Sequence, residues 1–122
     1  MISGTGGQGI VASGSFLSKA FFMKGYEVVF SRSYGAEARG GSCKSEIMIS
    51  DKVINELQFE KSDVLLCLSL PALIKYLPIA KPKSLVLVDS EVYNRADYDR
   101  DDLKIVPVPA REIANELGNQ IV

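Results

Sequence analysis

The sequence predicts one α/β domain in three layers, built on a mostly parallel sheet. Three observations predict it. A glycine-rich turn, Gly4-Thr-Gly-Gly-Gln-Gly9, stands between a strand stub at Met1-Ile2 and an apolar helix. Two nearly all-apolar runs, Val64 to Leu68 and Ser84 to Asp89, have the composition of strands buried on both faces. Segments of helical period alternate with strand-like ones, and no repeat or low-complexity tract interrupts them.

In order along the chain, Ile10 to Lys24 reads as a helix starting at about Gly9, with Ala12, Phe16, Leu17, Ala20 and Phe21 at helical spacing on a core face. Ser13, Gly14 and Ser15 keep its first turns small enough for close approach to a neighbour, and Gly25 sits where a C-terminal cap belongs. Tyr26 to Phe30 is the second strand. Strand, glycine turn, helix and strand make a βαβ unit with a right-handed crossover, the start of a Rossmann-like layer. Ser31 to Ser42 reads as a loop whose charged residues are Arg32, Glu37 and Arg39. Lys44 to Ser50 alternates polar and apolar, with Ile47 and Ile49 on one face of a third strand. After the Val64–Leu68 strand, Pro71 opens a short helix to about Leu77, with Leu70, Leu73, Ile74 and Leu77 facing inward. Glu91 to Lys104 reads as a solvated polar loop, Ile105 to Pro109 as an extended edge piece, and Ala110 to Leu117 as a helix. Both ends look cut, so the 122 residues are expected to be one domain truncated at each end.

Composition excludes several functions. A formal net charge of −1 gives no broad attraction to nucleic acid or acidic membranes. No apolar run reaches membrane-spanning length and no basic leader is present, so the default location is cytoplasmic. With no histidine, the Ser-His and Cys-His nucleophilic schemes and the usual zinc sites are absent. Cys43 and Cys67, far apart and without companion thiols, read as small buried hydrophobes. Any chemistry belongs to a cofactor or to another chain.

Two stretches can carry function. Gly4, Gly6, Gly7, Gln8 and Gly9 form a turn in which glycine supplies positive φ and a bare backbone, and the helix that follows offers unpaired N–H groups to an anion. Gly4-x-Gly6-x-x-Gly9 also satisfies the dinucleotide fingerprint, but strand two ends in Phe30-Ser31-Arg32 without the acidic residue that accepts ribose hydroxyls, and Glu27 lies at the wrong end. Arg32 facing a 2′-phosphate keeps a stand-alone NADP-binding reductase as an alternative. The second stretch, Tyr34-Gly-Ala-Glu-Ala-Arg-Gly-Gly41, offers Arg39 as a forked donor that Glu37 can orient, with Gly40 and Gly41 freeing the backbone. An internal Glu37–Arg39 ion pair that stiffens a connection explains it equally well.

Taken together, these motifs are far more specific than either alone. In this order, and followed by Ile49-Ser50-Asp51 and by Val108-Pro-Ala-Arg-Glu-Ile-Ala-Asn-Glu-Leu-Gly-Asn119, they closely resemble the gamma subunit of 2-oxoacid:ferredoxin oxidoreductases over essentially the whole chain. The resemblance implies a non-autonomous subunit of an enzyme that oxidatively decarboxylates a 2-oxo acid with coenzyme A, giving an acyl-CoA and reduced ferredoxin. It favours 2-oxoglutarate or branched-chain 2-oxo acids over pyruvate. It also implies alpha, beta and in some complexes delta subunits as partners, with ferredoxin as acceptor, thiamine diphosphate held between alpha and beta, and iron–sulfur clusters elsewhere. No catalytic or metal-binding residue is expected in this chain. The two glycine stretches are expected to lie together at the carboxyl ends of the strands and to contact a partner subunit or the phosphates of coenzyme A. A non-catalytic interaction domain is the remaining alternative.

Overall fold

The computed structural model describes residues 1–34, 42–56 and 58–118. Chain order is β1 (Ile2–Thr5), α1 (Ile10–Met23), β2 (Glu27–Tyr34), β3 (Ser42–Ser50), β4 (Ser62–Cys67), α2 (Leu70–Tyr76), a 3-10 turn (Leu77–Ile79), β5 (Ala80–Asp89), α3 (Ser90–Arg95), β6 (Lys104–Val108) and α4 (Ala110–Glu116). The six strands form one sheet in the order β2-β3-β1-β4-β5-β6. β4, β5 and β6 continue parallel from β1, whereas β3 runs antiparallel to both β1 and β2. The carboxyl ends of five strands therefore share one edge.

Two cores make the three layers. Leu65, Cys67, Val86 and Val88 meet Ala72, Leu73, Tyr76 and Val92 on one face, under α2 and α3. Ile2 and Cys43 meet Ile10 on the other, with Val11, Ile47, Leu66 and Leu68 around them. The alternation of Leu65 and Cys67 against Leu66 and Leu68 is the two-residue period of a central strand sharing its side chains between both faces.

The structure departs from sequence expectation in four places. Strand two continues through Ser31, Arg32, Ser33 and Tyr34, which pair with Glu46 to Cys43. Their polar character is tolerated because β2 is an edge strand and their stability comes from the backbone ladder rather than from burial. α1 turns a different side inward than its apolar period indicates. The buried positions are Ile10, Gly14 and Ser18, while Ala12 and Ala20 are exposed and Phe16, Phe22 and Met23 are 70%, 70% and 84% exposed. Close approach decides this: a Cβ on Gly14 would lie 2.5 Å from Ser45 Cβ and 2.9 Å from Phe30 Cε1. Ser45 Oγ donates to the Ile10 carbonyl at 2.8 Å, and Ser18 Oγ to that of Gly14 at 2.7 Å. On α2, Leu73 is buried and Leu70 and Leu77 pack at the rim as expected, but Ile74 points to solvent and Ala72 and Tyr76 take the inward places.

The polar stretch after β5 is the fourth departure, since it is neither wholly irregular nor only solvated. Its first residues form α3, with Glu91 in the first turn and Arg95 in the last, the charges a helix dipole favours. Farther on, Arg100 closes a fork on Asp102 at 2.6 and 3.0 Å and donates to the carbonyls of Leu77 and Ala80 at 3.2 and 2.8 Å. The fork between the two side chains raises the Arg100 pKa and lowers that of Asp102. The same segment accepts the Lys83 N–H at the Asp102 carbonyl, 2.8 Å away, where Lys83 bends β5 with φ 67°.

Candidate functional site: the glycine turn at the carboxyl edge

β1 delivers the turn to the shared edge of the sheet. Gly4 pairs with Cys43 and Thr5 with Ser42 on one side, while Ser3 pairs with Cys67 of β4 on the other. Beyond Thr5 the chain reverses, with Gln8 N–H donating to the Thr5 carbonyl at 3.2 Å. Gln8 locks the turn from both ends of its amide: Oε1 accepts from Thr5 N–H at 2.7 Å, and Nε2 donates to the Leu68 carbonyl at 3.1 Å. A Cβ on Gly4 would stand 2.5 Å from that Oε1 and 2.8 Å from Ile10 Cδ1, so Gly4 is glycine for lack of room.

Among the described residues nothing requires a glycine at Gly6. It is exposed, its φ is not left-handed, and a Cβ there would meet no atom of the described residues within 4 Å. Gly7 and Gly9 take φ of 93° and 75°, a region where a side chain is strained. Gly9 is the N-cap of α1 and provides no side-chain acceptor, so the first N–H groups of a 14-residue helix open onto this turn. The arrangement offers backbone donors and the positive end of a helix dipole across an exposed bare backbone, which suits an oxyanion or an acceptor group on another protein.

The second stretch begins at the same level. Tyr34 ends β2 opposite Cys43, which is itself opposite Gly4, so the last residue of β2 and the start of the glycine turn lie on one row of the sheet. Glu37, Arg39, Gly40 and Gly41 lie outside the described residues. Arg32, the residue that sustained the NADP alternative, is exposed within the β2 ladder opposite Ser45, on a strand separated from β1 by β3. A dinucleotide fold puts the strand after its first helix beside the first strand; here an antiparallel strand takes that place.

The two thiols are buried and free, Cys43 beneath α1 and Cys67 beneath α2. Burial raises both pKa values, that of Cys67 to about 11, so they remain protonated and unreactive at neutral pH. Among the described residues no group of three His, Cys, Asp or Glu side chains could hold a metal ion. None of the described helices is long and apolar enough to cross a membrane.

Sequence reasoning missed other residues near this edge. Ser69 accepts from Ala72 N–H at 3.2 Å and caps α2; Ser before Leu-Pro was a readable capping signal. Asp89 ends β5 and accepts from the Arg111 N–H at 3.2 Å, at the start of α4. Lys44 and Lys75 converge on Tyr76. Lys44-x-Glu46, alternate residues of one strand, could have flagged the first of that pair; nothing local signals the second.

Residues 1–122 match the family described as pyruvate ferredoxin/flavodoxin oxidoreductase. The chain belongs to this family. Among its relatives, the 2-oxoglutarate synthase subunit KorC of Methanocaldococcus jannaschii is 40% identical over 94% of this chain and 62% of its own length. The ketoisovalerate oxidoreductase subunit VorA of Methanothermobacter marburgensis is 31% identical over 96% of this chain and 24% of its own. The keto/oxoacid ferredoxin oxidoreductase gamma subunit of Geobacter sulfurreducens superposes with a TM-score of 0.79 at 33% identity, over 98% of this chain and 66% of that one. The chain thus spans half to two-thirds of the length of the KorC relatives it matches. The family relation bears out the resemblance read from the paired glycine motifs.

Proposed function

We propose that this chain acts as the gamma-type subunit of a 2-oxoacid:ferredoxin oxidoreductase, a cytoplasmic complex that oxidatively decarboxylates a 2-oxo acid and passes the acyl group to coenzyme A. The KorC relatives, 33–41% identical, favour 2-oxoglutarate, with the branched-chain acids next. In that complex thiamine diphosphate and the iron–sulfur clusters belong to other chains, ferredoxin accepts the electrons, and alpha, beta and delta subunits are the neighbours. Residues Gly4 to Gly9, with Tyr34, Glu37, Arg39, Gly40 and Gly41, contact a partner subunit or the phosphates of coenzyme A.

One observation carries the subunit reading. α1 packs on the sheet through Ile10, Gly14 and Ser18, yet presents Phe16, Phe22 and Met23 to water, so its largest apolar side chains lie on the face away from the sheet. Exposed apolar faces of that kind are normally covered by another surface. The bare Gly6 supports the same reading, since none of the described residues requires a glycine there.

The test purifies the native protein with whatever accompanies it and assays reduction of ferredoxin with 2-oxoglutarate, 2-oxoisovalerate and pyruvate, each with coenzyme A. Larger partners and a coenzyme A-dependent rate, highest with 2-oxoglutarate, are expected. A chain that purifies alone and binds NADP in a calorimeter overturns the proposal.

A further inference from the structure

Lys44 on β3 and Lys75 on α2 bring their ammonium groups over one aromatic ring, 5.7 and 5.3 Å from the Tyr76 centroid. Tyr76 is only 7% exposed, so the ring is a fixed floor rather than a mobile side chain. Lys44 Nζ also donates to Glu46 Oε1 at 2.6 Å, and Glu46 is itself buried. Lys75 Nζ donates at 3.2 Å to Ser42 Oγ, a neutral acceptor. Ser42 pairs with Thr5, so the cluster sits at the carboxyl edge of the sheet, and Tyr76 belongs to the core on the α2 face. Two like charges at one ring repel, and attraction to the ring face offsets only part of that. Glu46 balances one charge and, among the described residues, no carboxylate pairs with Lys75, so the described cluster keeps one positive charge in excess. Ser42 accepts from Lys75 and donates to no acceptor among the described residues, so its hydroxyl hydrogen can serve a ligand.

We propose that Lys44, Lys75 and Ser42 form a phosphate-binding site above the Tyr76 ring. Ammonium groups are point-charge donors that suit the several oxygens of a phosphate, whereas a carboxylate is matched best by the planar fork of arginine. The donors come from two elements, so the group bound there is gripped from the strand and the helix at once. All three donors belong to this chain.

Pyrophosphate titrated into the full chain at low ionic strength, followed by calorimetry and by backbone amide shifts, tests this. Shifts at Ser42, Lys44, Lys75 and Tyr76 are expected, with five- to tenfold weaker binding in K75M and an unchanged melting temperature, because Lys75 is exposed. The double variant K44M/E46Q removes the other ammonium without leaving a buried carboxylate unpaired, and the same loss is expected there. Equal affinity of K75M and the parent chain overturns the site, as do shifts confined to Gly6–Ala12 or reproduced by sodium chloride of equal ionic strength. Tighter lysine-dependent binding of an oligoglutamate peptide than of pyrophosphate overturns it in favour of a protein ligand.

Discussion

α1 and α2 start from the same edge of the sheet and begin in opposite ways. α2 completes its own first turn, since Ser69 caps Ala72 and Pro71 occupies a position that needs no N–H acceptor. α1 starts from a glycine in a left-handed conformation with no side-chain cap, and the exposed Gly6 and Gly7 lead into it. α2 therefore secures its N-terminus locally. α1 is held instead by the fit of Gly14 against β3 and β2, and among the described residues no side chain closes its N-terminus. A fold whose only task was stability would finish both helices alike.

The largest effect is expected where α1 is held. Gly14→Ala forces a Cβ into Ser45 and Phe30, and should cost about 2 kcal/mol, roughly 8 °C in Tm for a domain of this size. A variant that melts with the parent chain would show that α1 is anchored elsewhere.

Next come the thiols under the two helices. In the native state Cys67 titrates near 11, against a usual value near 9, so on raising the pH through this window the unfolded chain loses its proton first. Stability therefore falls as pH rises, by about 2 kcal/mol at pH 11. Cys67→Ala should remove that part of the alkaline slope in denaturant unfolding; an identical slope would exclude Cys67 as its source. Cys43, raised in the same direction, contributes with the same sign.

A smaller loss, about 1 kcal/mol, is expected for Ser69→Ala, which uncaps α2. It should leave assembly with partner subunits untouched. Gly6→Ala should change stability least, by less than about 0.5 kcal/mol, because its Cβ meets no atom of the described residues. It should nevertheless weaken assembly, or raise the KM for coenzyme A, roughly tenfold. Unchanged assembly and kinetics in Gly6→Ala would erase the distinction between the two helix starts.

Much of this was readable where local chemistry decides structure. Gly9 and Gly25 marked the ends of α1, and the all-apolar runs marked β4 and β5, because positive φ and burial on both faces each leave a compositional mark. What tertiary context decides was harder to read. The inner face of α1 was misassigned because close helix–sheet approach selects small residues, so Gly14 and Ser18 displaced the apolar side chains that periodicity favours. Ser31 to Tyr34 read as loop because an edge strand held by antiparallel pairing needs no apolar pattern. In α3, six residues are too few to show a period. At the candidate site the glycines were legible, but the difference between Gly4, enclosed by Gln8 and Ile10, and Gly6, in open space, exists only in three dimensions.

The bend at Lys83 has a practical consequence. An L-residue with a side chain in the left-handed region is costlier by about 1 kcal/mol than a glycine there. The strand keeps that cost while its amide reaches the Asp102 carbonyl, a bond any residue but proline could make. The protein could thus be made hardier by deleting a side chain, and a glycine at this corner is where an engineer seeking a tougher scaffold would begin.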